Sequence, residues 1–132
     1  MTEVVLDSSA LLAYLFEEPG AEVVAEALAS GACISAVNFS EVLAKLSDCG
    51  IPVDRAMSDF AQHGLLDVLR IIDFDLANAE AAADLRTSTR KVGLSLGDRA
   101  CLALGRVRKT RVLTADEAWS AVSGVEVVQI RP

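Results

Sequence analysis

VVLDSSALLAYL, residues 4–15, decides the fold class of this chain because it joins a short buried strand directly to an apolar helix. Val4–Leu6 is an apolar run of the kind found in buried parallel strands. Asp7, with the two serines after it, offers an N-cap for a helix whose leucines continue to Leu15. A strand followed at once by a helix opens a βαβ unit, which predicts an α/β fold.

The same alternation continues to the end of the chain. Further strands are predicted at Ala32–Ser35, Leu69–Ile72, Val112–Leu113 and Val125–Ile130, and further helices at Ala21–Ala29, Asn38–Cys49, Pro52–Gln62, Leu76–Thr87, Leu96–Val107 and Glu117–Val122. No repeat, low-complexity run or linker interrupts them. We therefore expect one domain over residues 1–132, built around a doubly wound sheet.

The composition narrows the class of protein. Hydrophobic residues make up 52% of the chain, enough for one substantial core, and aromatic residues only 5%. Cys33, Cys49 and Cys101 are odd in number and widely spaced, which argues against a disulfide framework or a structural zinc site. No targeting segment or membrane span is recognisable. We expect a cytoplasmic protein with reduced thiols in its core.

The net charge of −7 argues at first against a nucleic-acid partner. The charge is unevenly distributed, however. Residues 86–111 carry eight bases and one acid, or +7, which leaves −14 on the rest of the chain. A basic segment in an acidic protein suggests a local site for polyanions.

Four acidic residues are predicted to share one edge of the sheet. Asp7 follows the first strand and Asp116 follows the fourth, and the carboxyl ends of parallel strands line one crevice. Glu41 and Asp98 lie near the starts of helices, which face the same edge in βαβ units. The four carboxylates are the candidate site.

Each acid also has a purely structural interpretation. Asp7 could serve only as an N-cap, and Glu41 could lie on a solvated helix face. The spacings SxxD at 95–98 and TxxE at 114–117 are typical of capping boxes. Capping does not require the acids to converge, whereas clustered carboxylates repel one another unless a cation neutralises them.

A divalent cation would resolve that repulsion. Oxygen ligands without a histidine or cysteine cluster favour a hard ion such as Mg²⁺, which keeps waters and leaves room for phosphate oxygens. Such an ion suits phosphodiester hydrolysis, with one ion or two.

Four segments resemble a known family. They are VLDSSALLAY (5–14), NFSEVLAKL (38–46), LSLGDRACLALG (94–105) and VLTADEAW (112–119). Together they closely resemble PIN-domain ribonucleases of the VapC toxin type, whose four acidic positions fall in order on Asp7, Glu41, Asp98 and Asp116.

The resemblance implies a three-layer α/β/α domain with a five-stranded, mainly parallel sheet. It also implies Mg²⁺- or Mn²⁺-dependent endoribonuclease activity, homodimers, and inhibition by a VapB-type antitoxin in a heterotetramer or larger complex. Ser9 and Thr114 correspond to polar residues that support the acids, and Asn38 could hold Glu41 or a water. Glu117 departs from the family pattern and is either a fifth ligand or a cap.

The basic segment, residues 86–111, is expected to lie beside the crevice and to bind RNA phosphates. Arg99 and the loop residues Arg90 and Lys91 are the candidate phosphate contacts. Scarce aromatic residues argue against a platform that stacks bases.

Three alternatives remain. A phosphatase with Asp7 as nucleophile would need a second acid two residues later, where Ser9 stands. A phosphate-receiver module would need paired acids at the first strand and a lysine after a late one. A catalytically silent PIN-like scaffold would keep the acids only as caps and bind RNA or a protein.

Overall fold

The computed structural model describes residues 3–122 and 124–132. The strands are β1 (Val4–Leu6), β2 (Ala32–Ser35), β3 (Leu69–Ile72), β4 (Val112–Thr114) and β5 (Val127–Gln129). The helices are α1 (Ser8–Leu15), α2 (Ala21–Ser30), α3 (Ala36–Asp48), α4 (Val53–Gln62), α5 (Leu65–Val68), α6 (Leu76–Ser88), α7 (Leu96–Arg108) and a 3₁₀ helix (Glu117–Ala121). None of the described helices is long and apolar enough to cross a bilayer.

The five strands form one parallel sheet in the order β3-β2-β1-β4-β5. Strand order reverses between β1 and β4, so this is the point where a doubly wound sheet opens a crevice at its carboxyl edge. The register pairs Leu6 with Leu113. Asp7, which follows β1, and Thr114, the last residue of β4, therefore reach that edge side by side.

Helices cover both faces of the sheet, which confirms the predicted three-layer α/β/α fold. Val4 and Leu6 point into a core shared with α1 to α5, whereas Val5, between them, points into a core shared with α6 and α7. Alternate residues of a strand face opposite sides, so even a three-residue strand contributes to both cores. Trp119, fully buried, belongs to the second core.

The element predictions are confirmed except at several boundaries. Helix α3 begins at Ala36 rather than Asn38, because the hydroxyl of Ser35 caps it by accepting the N–H of Val37 at 3.2 Å. The short helix α5 was not predicted, and β5 is shorter than expected.

One predicted capping box is present and the other is wrong. At the start of α7 the Ser95 hydroxyl accepts the backbone N–H of Asp98, and the Asp98 carboxylate accepts the backbone N–H of Ser95, as the spacing predicts. The 3₁₀ helix is capped by Asp116 rather than by Thr114, whose side chain is turned to the sheet edge instead.

The prediction that all three thiols lie in the core is wrong for one of them. Cys33 and Cys101 are buried, and Cys49 is exposed at the C-cap of α3. Burial raises the pKa of Cys33 to about 12 and that of Cys101 well above its usual value, so both buried thiols stay protonated at neutral pH.

Candidate active site

Asp7 is the buried centre of the site. It caps α1 and is only 4% exposed. Its Oδ2 accepts the hydroxyls of Ser9 at 2.5 Å and of Thr114 at 3.0 Å. Those hydroxyl oxygens in turn accept the backbone N–H groups of Ala115 and Asp116, each at 3.0 Å. Each hydroxyl proton is thereby directed at Asp7, which fixes the carboxylate against the end of β4.

Glu41 is held over the same edge by hydrogen bonds from residues of two helices, α1 and α3. Its Oε1 accepts the Nδ2 of Asn38 at 2.9 Å and the hydroxyl of Ser8 at 3.0 Å. Ser8 also lies 3.4 Å from Oδ1 of Asp7, so one hydroxyl joins the two carboxylates. The Nδ2 of Asn38 donates as well to the carbonyl of Gly97, at 2.9 Å.

Asn38 is shielded from solvent although it precedes the exposed Glu41 by one helical turn. It is fully buried between α3 and α7, and its Oδ1 has no partner in the described part of the chain. Glu41, one turn further along α3, is exposed. Helical periodicity places Asn38 and Glu41 on the same side of α3. The packing of α3 against α7 buries the first of them and leaves the second exposed.

Gly97 makes room for the Glu41 carboxylate. A Cβ at position 97 would lie 2.8 Å from Cδ and 3.0 Å from Oε1 of Glu41, and closer still to Oε2. Only glycine therefore lets the first turn of α7 approach Glu41 this closely. Neither Gly97 nor Ser8 was identified from the sequence. Their position beside a predicted acid was the only available signal.

Asp98 and Asp116 combine proximity to the site with capping. Oδ2 of Asp98 accepts the N–H of Ser95 at 3.1 Å, and Oδ1 of Asp116 accepts the N–H of Ala118 at 3.0 Å. The negative charge of Asp98 acts on Asp7, and the backbone of Asp116 is tied to the Asp7 network through Thr114. Glu117 is exposed in the first turn of the 3₁₀ helix.

The electrostatics of the site favour a cation. Burial, reinforced by the charge of Asp98, raises the pKa of Asp7 to about 6 from 3.8, although the Ser9 and Thr114 hydroxyls oppose the shift. The four ion pairs seen among residues 3–122 and 124–132 use none of the four candidate acids. No basic side chain of the described structure thus forms an ion pair with these carboxylates.

Comparison with known families identifies the fold. The family model of the PIN domain matches residues 4–125. The chain belongs to the PIN-domain family. A search of curated proteins gave no match.

Solved structures share this PIN architecture at low sequence identity. A toxin–antitoxin complex from Klebsiella pneumoniae has a TM-score of 0.75 and 20% identity, over 96% of this chain and 97% of that chain. DNA-bound VapBC from Salmonella typhimurium has a TM-score of 0.74 and 16% identity, over 98% of this chain and 99% of that chain. FitAcB from Neisseria gonorrhoeae has a TM-score of 0.73 and 19% identity, over 96% of this chain and 97% of that chain.

PIN-domain nucleases generally use divalent metal ions, and the donor set here fits one. The acids supply oxygen ligands, and the residues paired with them are hydroxyls and an amide rather than cations. Within the described ranges no three acidic, histidine or cysteine side chains are already grouped closely enough to coordinate an ion. A cation would therefore have to draw the carboxylates inward, away from their caps.

The PIN fold places only part of the basic segment near the acids, which corrects the expectation that all of residues 86–111 lie beside the crevice. Asp98 is in the first turn of α7, and Arg108 lies about 15 Å further along that helix. There Arg108 pairs with Glu3 at 2.7 Å, at the amino end of the sheet. Arg111, directly before β4, lies at the same end, where its carbonyl accepts the N–H of Val5.

The three candidate RNA-binding residues have different surroundings. Arg90 and Lys91 are exposed in the turn between α6 and α7, confirming the predicted loop. Arg99 is half-buried, and its guanidinium donates to the carbonyl of Ala82 at 3.1 Å. Arg99 thus packs α7 against α6, and phosphate binding by all three remains a prediction.

The raised pKa of Asp7 makes the stability of the metal-free protein depend on pH. A proton binds Asp7 more tightly in the folded than in the unfolded chain, so its stabilising effect is complete below about pH 4 and lost as pH rises through about 6. We expect the melting temperature in EDTA to fall between pH 5 and 7.5, and added Mg²⁺ to reverse the fall. A melting temperature that rises over this interval would contradict the burial of an uncompensated Asp7.

Proposed function

We propose that this PIN domain is a VapC-type toxin: a Mg²⁺- or Mn²⁺-dependent endoribonuclease neutralised by a cognate antitoxin. The observation that carries the proposal is the buried carboxylate of Asp7, which shares the donor Ser8 with Glu41, feels the negative charge of Asp98 and has no basic partner in the described structure. Such a cluster is costly unless a cation joins it. The aspartyl-phosphatase alternative is disfavoured because Ser9 donates its proton to Asp7, where that chemistry needs a second acid.

The side chains of the site have different proposed roles in hydrolysis. Asp7, Glu41, Asp98 and Asp116 are the proposed ligands. A divalent ion held by them would supply an activated water and would screen charge on the scissile phosphate. Ser9 and Thr114 orient Asp7, while Asn38 and Ser8 orient Glu41.

The substrate is proposed to be RNA held by basic residues at the rim. Arg90 and Lys91 are exposed beside the start of α7, which carries Asp98. Contacts of this kind position a nucleic acid without reading its sequence. Specificity then depends on the shape of the RNA.

The partner is proposed from the similar solved structures, which include a toxin–antitoxin complex and a VapBC complex bound to DNA. We propose a VapB-type antitoxin that covers the crevice with a basic side chain among the acids. We also propose that the protein forms a homodimer and that it assembles with the antitoxin into a heterotetramer or larger complex. Its proposed location is the cytoplasm.

The test is cleavage of RNA by the purified, antitoxin-free protein in Mg²⁺ or Mn²⁺. We expect cleavage that EDTA abolishes and that Asp116→Asn reduces strongly. Asp84→Asn removes an exposed carboxylate of α6 and is the matched control. Equal activity of the wild type and Asp116→Asn would refute the site assignment.

A silent scaffold remains the second candidate because Asp98 and Asp116 each cap a helix and no preformed metal site exists among the described residues. RNA binding without metal-dependent turnover, in protein freed of antitoxin, would favour it.

A further inference from the structure

A small cavity lies where α6 ends and the chain turns toward α7. Its volume is about 180 Å³, and it is lined by Arg86, Thr89, Arg90, Gly93 and Leu94. The turn is internally bonded: the Thr89 hydroxyl donates to the carbonyl of Leu85, and the N–H of Gly93 donates to the carbonyl of Thr89 at 3.1 Å. The walls are therefore formed by an ordered turn.

The cavity carries uncompensated positive charge. Arg86 and Arg90 both line it, and none of the described residues that line it is acidic. The ion pairs found in the described parts of the chain involve neither arginine. Two arginines lining one small cavity favour an anion there, because guanidinium N–H groups pair well with phosphate oxygens.

The lining selects a phosphate rather than a nucleobase. It contains no aromatic side chain, and Leu94 is its only large apolar residue. Base binding of the sequence-tolerant kind relies on stacking against aromatic rings. Gly93 has a φ of +72°, a conformation that favours glycine, and the space beside its Cα is open.

The position of the cavity connects it to the carboxylates. Leu94 is followed by Ser95, the N-cap of α7, and the capping box then leads to Asp98. The cavity therefore adjoins the residue before the N-cap of α7, and the first turn of that helix carries Asp98, a proposed metal ligand. Arg106 and Arg108, at the far end of α7, have no such relation to the site.

We propose that this cavity binds a single backbone phosphate of the RNA, flanking the scissile one, and so sets the register of the strand across the carboxylates. The inference rests on the proposed function for the identity of the strand. It adds Arg86, which the sequence did not single out, and gives Arg90 a defined pocket instead of a general attraction.

The test separates binding from cleavage. The affinity of a short single-stranded RNA is measured by fluorescence anisotropy in EDTA over a series of salt concentrations. Each lost phosphate contact lowers the slope of log affinity against log salt by about 0.7. We expect weaker binding at low salt and a slope reduced in magnitude by up to about 0.7 for Arg86→Gln and for Arg90→Gln. The double variant should lose no more than about 0.7 in total, because both side chains bind one phosphate.

Arg111→Gln is the control, because it removes an exposed guanidinium at the opposite end of the sheet. Its slope should match that of the wild type. Thermal unfolding checks that all variants are folded. A second arm titrates inorganic phosphate against the RNA complex and, by NMR, against the protein alone.

The outcomes distinguish this inference from the proposed function. Unchanged slopes in both arginine variants overturn the inference even if the wild type cleaves RNA. Reduced slopes support it even if no cleavage is detected. That result would overturn the proposed nuclease function but not the phosphate-binding site. Arginine-dependent binding of inorganic phosphate without an effect on RNA overturns it by showing a site for free anions only.

Discussion

Replacing Asp7 by asparagine is expected to lower metal-dependent RNA cleavage by about 100- to 1,000-fold and to stabilise the metal-free protein by up to about 3 kcal/mol near pH 8. Activity falls because the amide cannot supply the negative charge that a cation needs. Stability rises because the folded chain no longer holds a buried carboxylate whose pKa lies at about 6. Asparagine is also a good N-cap and can still accept the hydroxyls of Ser9 and Thr114.

The measurement is a pair of denaturant melts, in EDTA and in excess Mg²⁺, beside a cleavage assay. Wild type should gain stability from the metal, whereas Asp7→Asn should gain little. Asp84→Asn, an exposed acid of α6, should behave like the wild type in every assay. A less stable Asp7→Asn protein in EDTA at pH 8 would show that the Asp7 charge is compensated in the fold.

Gly97→Ala is expected to reduce cleavage by about 10- to 100-fold, the usual effect of disturbing a group that orients a metal ligand, while changing stability by less than about 1 kcal/mol. The added methyl would occupy the space of the Glu41 carboxylate. That carboxylate ends a flexible, exposed side chain, so it can rotate away at little cost, but it then leaves Ser8 and Asn38. Alanine also favours the helix by up to about 1 kcal/mol over glycine.

A double-mutant cycle tests this mechanism. In a Glu41→Ala background the alanine at position 97 meets no carboxylate, so Gly97→Ala should stabilise the protein by roughly 0.5–1 kcal/mol, through helix propensity alone. The same destabilisation in both backgrounds would instead mean that the methyl group collides with the backbone or core.

Local chemistry made much of the site predictable. Asp7 and Asp116 follow strands that the apolar runs mark out, and β1 and β4 are neighbours at the point where strand order reverses. The Ser95–Asp98 capping box depends on residues three positions apart and was predicted for that reason. The hydrogen bond from Asn38 to Glu41 likewise lies within one helical turn.

What the sequence by itself determined was the order of strands and helices, the α/β class and the positions of Asp7 and Asp116 just after strands, because each depends on periodicity, caps or strand ends within a few residues. Only the tertiary structure decided that Asn38 is buried, that Gly97 admits Glu41, and that the basic segment divides between the two ends of α7. These features arise where α3 and α7 pack together, from residues about sixty positions apart, as in the 59-residue separation of Asn38 and Gly97. No local pattern specifies such a contact, because it depends on the relative placement of two helices on the sheet.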